Sequence, residues 1–148
     1  MKKILWTVLV AALVGCSDNR QKEAEVLLGL ATEWFEAGQY QRALDAIDSL
    51  RKIYPNSIDA RKRALKLYQS IELKQTQEEL ATVDSALEAV KHDYDYQRQK
   101  TEKDKAELRA TPEELTMLTK TRMKRDSLQT RFDVLCAKIR YIHKKQKE

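Results

Sequence analysis

Two runs of apolar side chains at helical spacing lie between residues 24 and 53. Leu27, Leu30, Ala31 and Trp34 fall at i, i+3, i+4 and i+7, on one face of a helix. The run stops at Ala37-Gly38, where a glycine can take the left-handed conformation that ends a helix. Tyr40, Ala43, Leu44, Ile47, Leu50 and Ile53 mark the apolar side of a second helix, and Pro55 ends it. Ser57 then serves as an N-cap with Asp59 in the first turn of a third helix. Ala60, Ala64, Leu67, Tyr68 and Ile71 of that helix can pack on the second. No Gly or Pro follows until Pro112, so the third helix is predicted to run to about Lys103.

Beyond Leu73 the pattern becomes heptad-like. Leu80, Val83, Leu87, Val90 and Tyr94 are spaced 3-4-3-4, and the stretch 97–105 is almost wholly polar. Thr111-Pro112-Glu113-Glu114 starts a last helix: Thr111 caps it, Pro112 takes its first position and Glu114 completes a capping box. That helix carries Leu118, Leu128, Phe132, Leu135, Ile139 and Ile142, the last five spaced 4-3-4-3. Reversing the chain at a turn near 106–111 sets Val90 near Leu128, Leu87 near Phe132, Val83 near Leu135 and Leu80 near Ile139. The expected fold is all-α: a helical domain over 24–72 running into a long antiparallel coiled-coil hairpin over 73–148.

Composition agrees with long helices. Charged residues make up 34% of the 148, and after position 16 only Gly29, Gly38, Pro55 and Pro112 interrupt the chain. The start has its own pattern. Lys2 and Lys3 precede an apolar run over 4–14, closed by Gly15 and Cys16. Such a run rises roughly 16 Å as a helix, short of a bilayer core of ~30 Å. It is a signal h-region and not a span. Losing the leader lowers the net charge from +5 to about +3. A mild excess with both signs interspersed describes solvated helix surfaces and argues against a nucleic-acid partner.

Leu13-Val14-Gly15-Cys16 resembles the lipobox of bacterial lipoproteins. The resemblance implies that residues 1–15 are a signal peptide, that the Cys16 thiol receives a diacylglycerol, and that 16–23 form a lipidated tether. Each buried methylene contributes ~0.8 kcal/mol, so two or three acyl chains anchor without spanning. Ser17, and not Asp, follows Cys16. By resemblance to lipoprotein sorting this implies the outer membrane of the cell envelope, on the periplasmic side. Ser17-Asp18-Asn19 also weakly resembles a surface-export signal, diluted by Arg20 and Lys22. With Cys16 lipidated, Cys136 has no partner for an intramolecular disulfide.

Residues 24–57 resemble one tetratricopeptide repeat, a helix pair of 34 residues. Leu27, Leu30, Ala31 and Trp34 fill its first-helix core positions. Gly38 and Tyr40 stand at its turn, Ala43 at its small position, Ile47 and Leu50 in its second helix, and Pro55 at its end. Ala31 and Leu50 depart from the commoner Gly and Ala. Tyr54-Pro55-Asn56-Ser57 with Ala60 is further similar to repeats in outer-membrane lipoproteins of the barrel-assembly type. The resemblance implies a partner-binding groove lined by Glu25, Leu28, Thr32, Phe35 and Glu36. Leu28 and Phe35 are then either ligand anchors or residues covered by the long helices or by a second copy.

Candidate chemistry changes the picture little. His92 and His143 fall on separate helices, and no HExxH or CxxC pattern occurs. Cys136 reads as a small apolar residue beside the seam. Glu78-Glu79, Asp93 with Asp95, and Glu113-Glu114 read as surface charges or caps. Arg140, His143, Lys144 and Lys145 complement a helix C-terminus, and could also touch anionic lipid or polysaccharide. No catalytic residue, metal ligand set or cofactor is expected. The expected role is a membrane-anchored adaptor or scaffold for an envelope protein. The alternatives are a self-assembling coiled-coil homo-oligomer, with seams pairing between chains, and an accessory factor for a cell-wall enzyme.

Overall fold

The computed structural model describes the backbone over residues 2–148 and side chains from residue 19 onward. The leader side chains and the Cys16 lipid site lie outside those described side chains. Four helices follow in order: α1 (Lys2–Glu36), α2 (Tyr40–Ile53), α3 (Ile58–Ala106) and α4 (Pro112–Gln146). The chain forms two units, 1–72 and 73–148. Among the described residues, no helix is long and apolar enough to cross a membrane.

In the first unit α1, α2 and the start of α3 enclose one core. It is built from Ala24, Leu28 and Ala31 of α1, from Ala43, Ala46, Ile47 and Leu50 of α2, and from Ala60, Ala64 and Ile71 of α3. Six of these ten are alanines, which let helix axes approach closely at the contact. Gly38, with φ +72°, ends α1 as the spacing predicted. Its N–H bonds to Phe35 O at 3.0 Å and the Gln39 N–H to Trp34 O at 2.8 Å, so two carbonyls of the last turn are satisfied. The Ser57 carbonyl accepts the first bond of α3 from the Arg61 N–H at 3.0 Å, and Asp59 lies in its first turn.

Two expectations about α1 need correction. The stretch 16–23 was expected as a tether, but residues 17–23 continue the helix. Glu23 accepts a 3.2 Å bond from the Tyr54 hydroxyl. Gln, Lys, Glu and Ala are strong helix formers, and polarity alone does not break a helix. The buried stripe is also rotated from the expected one. Leu28 is buried, Leu27 and Trp34 are half-buried, and Leu30 is 38% exposed. A helix touching one neighbour buries one stripe; α1 shares its core with both α2 and α3.

The second unit is the hairpin, formed by α3 from Leu73 and by α4. Gln97 accepts a 3.0 Å bond from the Thr121 hydroxyl, and the Arg125 guanidinium lies 4.2 Å over the Tyr94 ring. These two contacts fix an antiparallel register. Extended by heptads, it sets Val90 against Leu128, Leu87 against Phe132, Val83 against Leu135 and Leu80 against Ile139, the pairing expected from the spacing. Val83, Leu87, Val90, Leu135 and Ile142 are buried along it. The seam also runs on where the sequence looked merely polar. Thr76 and Thr101 are buried, and Gln97, Asp104, Thr121 and Arg125 are half-buried, all in the same heptad phase.

The turn is closed from both sides. Thr111 caps α4 with a full capping box: its hydroxyl accepts from the Glu114 N–H at 3.2 Å, and the Glu114 carboxylate accepts from the Thr111 N–H at 3.1 Å. α3 ends at Ala106, three residues past the expected end. Leu108 takes φ 55°, with its N–H bonded to Lys105 O at 3.0 Å and the Arg109 N–H to Asp104 O at 2.7 Å.

Candidate docking surface

Of the five residues expected to line a partner groove, Glu25, Leu28 and Thr32 line one hollow, and Phe35 and Glu36 are not part of it. Leu28 is 6% exposed and belongs to the core, so the covered alternative holds for it. Phe35 packs against that core beside Tyr40, ring centroids 6.1 Å apart. Thr32 donates its hydroxyl to the Leu28 carbonyl at 3.0 Å, and Glu36 is exposed. Glu25 is ion-paired with Arg63 of α3. Glu25, Leu28 and Thr32 share a hollow of about 230 Å³ with Gly29, Arg63 and Leu67. The Glu25–Arg63 pair joins α3 to this face of α1 at the hollow.

A larger recess lies between α2 and α3 on the same unit. Its volume is about 500 Å³, and Arg51, Ile58, Arg61, Lys62 and Leu65 line it. Ile58 is 62% exposed and Leu65 47%. Ile58, Arg61, Lys62 and Leu65 fall at i, i+3, i+4 and i+7, a second stripe on α3 turned away from Ala60, Ala64 and Ile71. Arg51 reaches it from α2 with its guanidinium 5.2 Å over the Tyr68 ring. Arg61 donates to the Pro55 carbonyl at 2.8 Å, which pins its head at the entrance to α3. Among the described residues, none of these three cations is paired with a carboxylate, whereas Lys52, Arg63, Lys100 and Arg131 all are. The recess thus has an apolar floor, extended by the arginine stems, under a positive rim.

The sequence reading did not find this recess. Its signal was the Ile58–Leu65 spacing, which the stronger core stripe on the same helix masked. The other chemistry-bearing residues remain apart. His92 and His143 are exposed on α3 and α4, and Cys136 is a half-buried free thiol. Among the described residues, no three His, Cys, Asp or Glu side chains group as a metal site. The expected acidic pairs serve structure at Glu79, which accepts both Arg131 Nε and Nη2, and at Glu114, which caps α4 and meets Lys100. Lys145 of the C-terminal basic cluster bonds to Glu148 at 2.6 Å and lies 5.9 Å over the Tyr141 ring.

Burial, and then the Glu23 carboxylate, raise the Tyr54 phenol above its ordinary range, so this hydroxyl stays a proton donor between α1 and the α2–α3 loop. The arrangement offers apolar contact flanked by three cations, of which Arg51 and Arg61 are held in place. No family model, curated protein or solved structure matches the chain.

Proposed function

We propose that this chain is a lipid-anchored adaptor of the bacterial envelope, tethered to the outer membrane through Cys16 and docking a protein partner on its N-terminal helical unit. The observation that carries the reading is the recess of Arg51, Ile58, Arg61, Lys62 and Leu65, where exposed aliphatic side chains meet cations that have no carboxylate partner. Exposed apolar surface rimmed by polar groups is the usual form of a binding site. The lipobox-like Leu13-Val14-Gly15-Cys16 supports the anchor, and the repeat-like helix pair over 24–57 supports the docking role.

Pairing of the seams between chains has less support. The apolar seam residues of the hairpin already face each other within one chain, in the register set by Gln97 with Thr121. The adaptor reading is tested in intact cells by photo-crosslinking side chains placed at the exposed Leu30 and Val134 and at the half-buried Gln69 beside the recess. Capture of an envelope protein from at least one position is expected. Adducts confined to lipid or to the chain's own copies at all three would end the reading. Membrane partition of the Cys16→Ser variant against the parent tests the anchor separately.

A further inference from the structure

We infer that the α2–α3 recess takes an acidic amphipathic helix of the partner protein, seated where a fourth helix of a stacked helical array would pack. This deepens the adaptor reading and rests on it.

Stacked helix pairs bury their faces against neighbours, and the last helix of a stack needs something to cover its open side. Through 58–71, α3 gives one face to the core, by Ala60, Ala64 and Ile71. A further helix returning along α2 and α3 would cover the stripe of Ile58, Arg61, Lys62 and Leu65. No such helix returns in the first unit, because α3 continues unbroken to Ala106. The stripe is left open, with two large aliphatic side chains exposed beside Arg51.

The occupant's shape follows from the stripe. Its contacts recur at i, i+3, i+4 and i+7 over two helical turns, which complements the apolar face of another helix and not an extended strand. A recess of about 500 Å³ accepts two or three aliphatic side chains from such a helix.

The occupant's charge follows from the rim. Arg51, Arg61 and Lys62 flank the aliphatic floor, and the described residues supply no carboxylate to any of them. Elsewhere on the unit Lys52 is matched by Asp48 and Arg63 by Glu25, whereas the recess gathers three unmatched cations around one apolar floor. A partner bearing Asp or Glu beside its apolar stripe neutralises this excess, and a basic one is repelled. Arg51 stacked on Tyr68 and Arg61 bonded to the Pro55 carbonyl hold two of the cations in place before binding, which reduces the entropy lost on docking.

The experiment reads the Gln69 crosslinking position, one turn beyond Leu65 on the same stripe, in full-length chain in intact cells. Mass spectrometry identifies the peptide joined to it. The expected adduct is a segment of another protein with apolar residues at helical spacing and a net negative charge. Its yield should fall roughly tenfold with Arg61→Glu plus Lys62→Glu, and about threefold with Lys62→Glu alone. The single variant is kept because Lys62 is exposed and makes no bond, so its replacement leaves the fold intact. A captured segment that is basic or lacks helical patterning overturns the inference. So do adducts with phospholipid or with a second copy of the chain, and yields indifferent to either variant. If Gln69 captures nothing while Leu30 captures an envelope protein, the adaptor stands and this recess is not its docking site; capture at Val134 alone overturns the recess and moves docking off the N-terminal unit. If no position captures a protein, both fall.

Discussion

Leu108 occupies the left-handed position at the end of α3 that Gly38 occupies at the end of α1. A Cβ there crowds the carbonyl and costs about 1–2 kcal/mol, while glycine accepts the conformation freely. The Leu108 side chain is 95% exposed, so it recovers nothing by packing. Leu108→Gly should therefore raise stability by about 1 kcal/mol, after allowance for the added freedom of the unfolded chain. Thermal unfolding of the two proteins decides it, and a lower midpoint for the glycine variant would refute the account. Gly38 and Thr111 were legible as helix ends because their chemistry announces them. Leu108 was not, because leucine is a helix former and the hydrogen bonds of the turn hold it in place regardless. The docking residues divide similarly. Leu28 was noticed as apolar and off-stripe, but whether α3 covered it is not a property of its own helix.

At the scale of elements, alanine-lined packing makes the first unit sensitive to size. Ile47 is fully buried among α1, α2 and α3, so Ile47→Ala should cost about 2–5 kcal/mol in a denaturant titration. The α4 start depends on its capping box. Thr111→Ala removes the acceptor for the Glu114 N–H and should cost about 1 kcal/mol. The hairpin tip adds a pH dependence. The hydrogen bond from Lys100, joined by that from the Thr111 N–H, holds the Glu114 carboxyl below its ordinary value of 4.5. A lowered folded value means the contribution is complete above about pH 4.5 and is lost as pH falls through the lower folded value. Parent and Glu114→Gln should thus differ in thermal midpoint at pH 7 and converge in acid. A gap that stays constant down to pH ~3 would contradict the assignment.

For the molecule as a whole, the apolar seam of the hairpin is paired inside one chain, so that seam is not left open to drive assembly. Light scattering on the chain lacking residues 1–16 should report a monomer at micromolar concentration; a concentration-dependent dimer would show that another surface pairs. A net charge of +5 spread with both signs along the helices gives no single field, so recognition by charge is local, as at Arg51, Arg61 and Lys62.

What the amino-acid order determined by itself was periodic or chemical: the existence of the helices, the stops at Gly38 and Pro55, the Thr111 cap, and the hairpin register, since heptads two apart can meet in only a few alignments. It could not settle which stripe of a two-stripe helix is buried. In α1, Leu28 and Leu30 are equally apolar, and only the placement of α1, α2 and α3 together sends Leu28 inward and leaves Leu30 exposed, whereas the Ala60, Ala64 and Ile71 stripe of α3 was readable from its spacing. Nor could it assign the polar seam members Thr76, Gln97, Thr101 and Thr121 to an interior, because a hydroxyl can be satisfied by its own helix or across the seam, and which polar positions the facing helix covers is chosen by the fold.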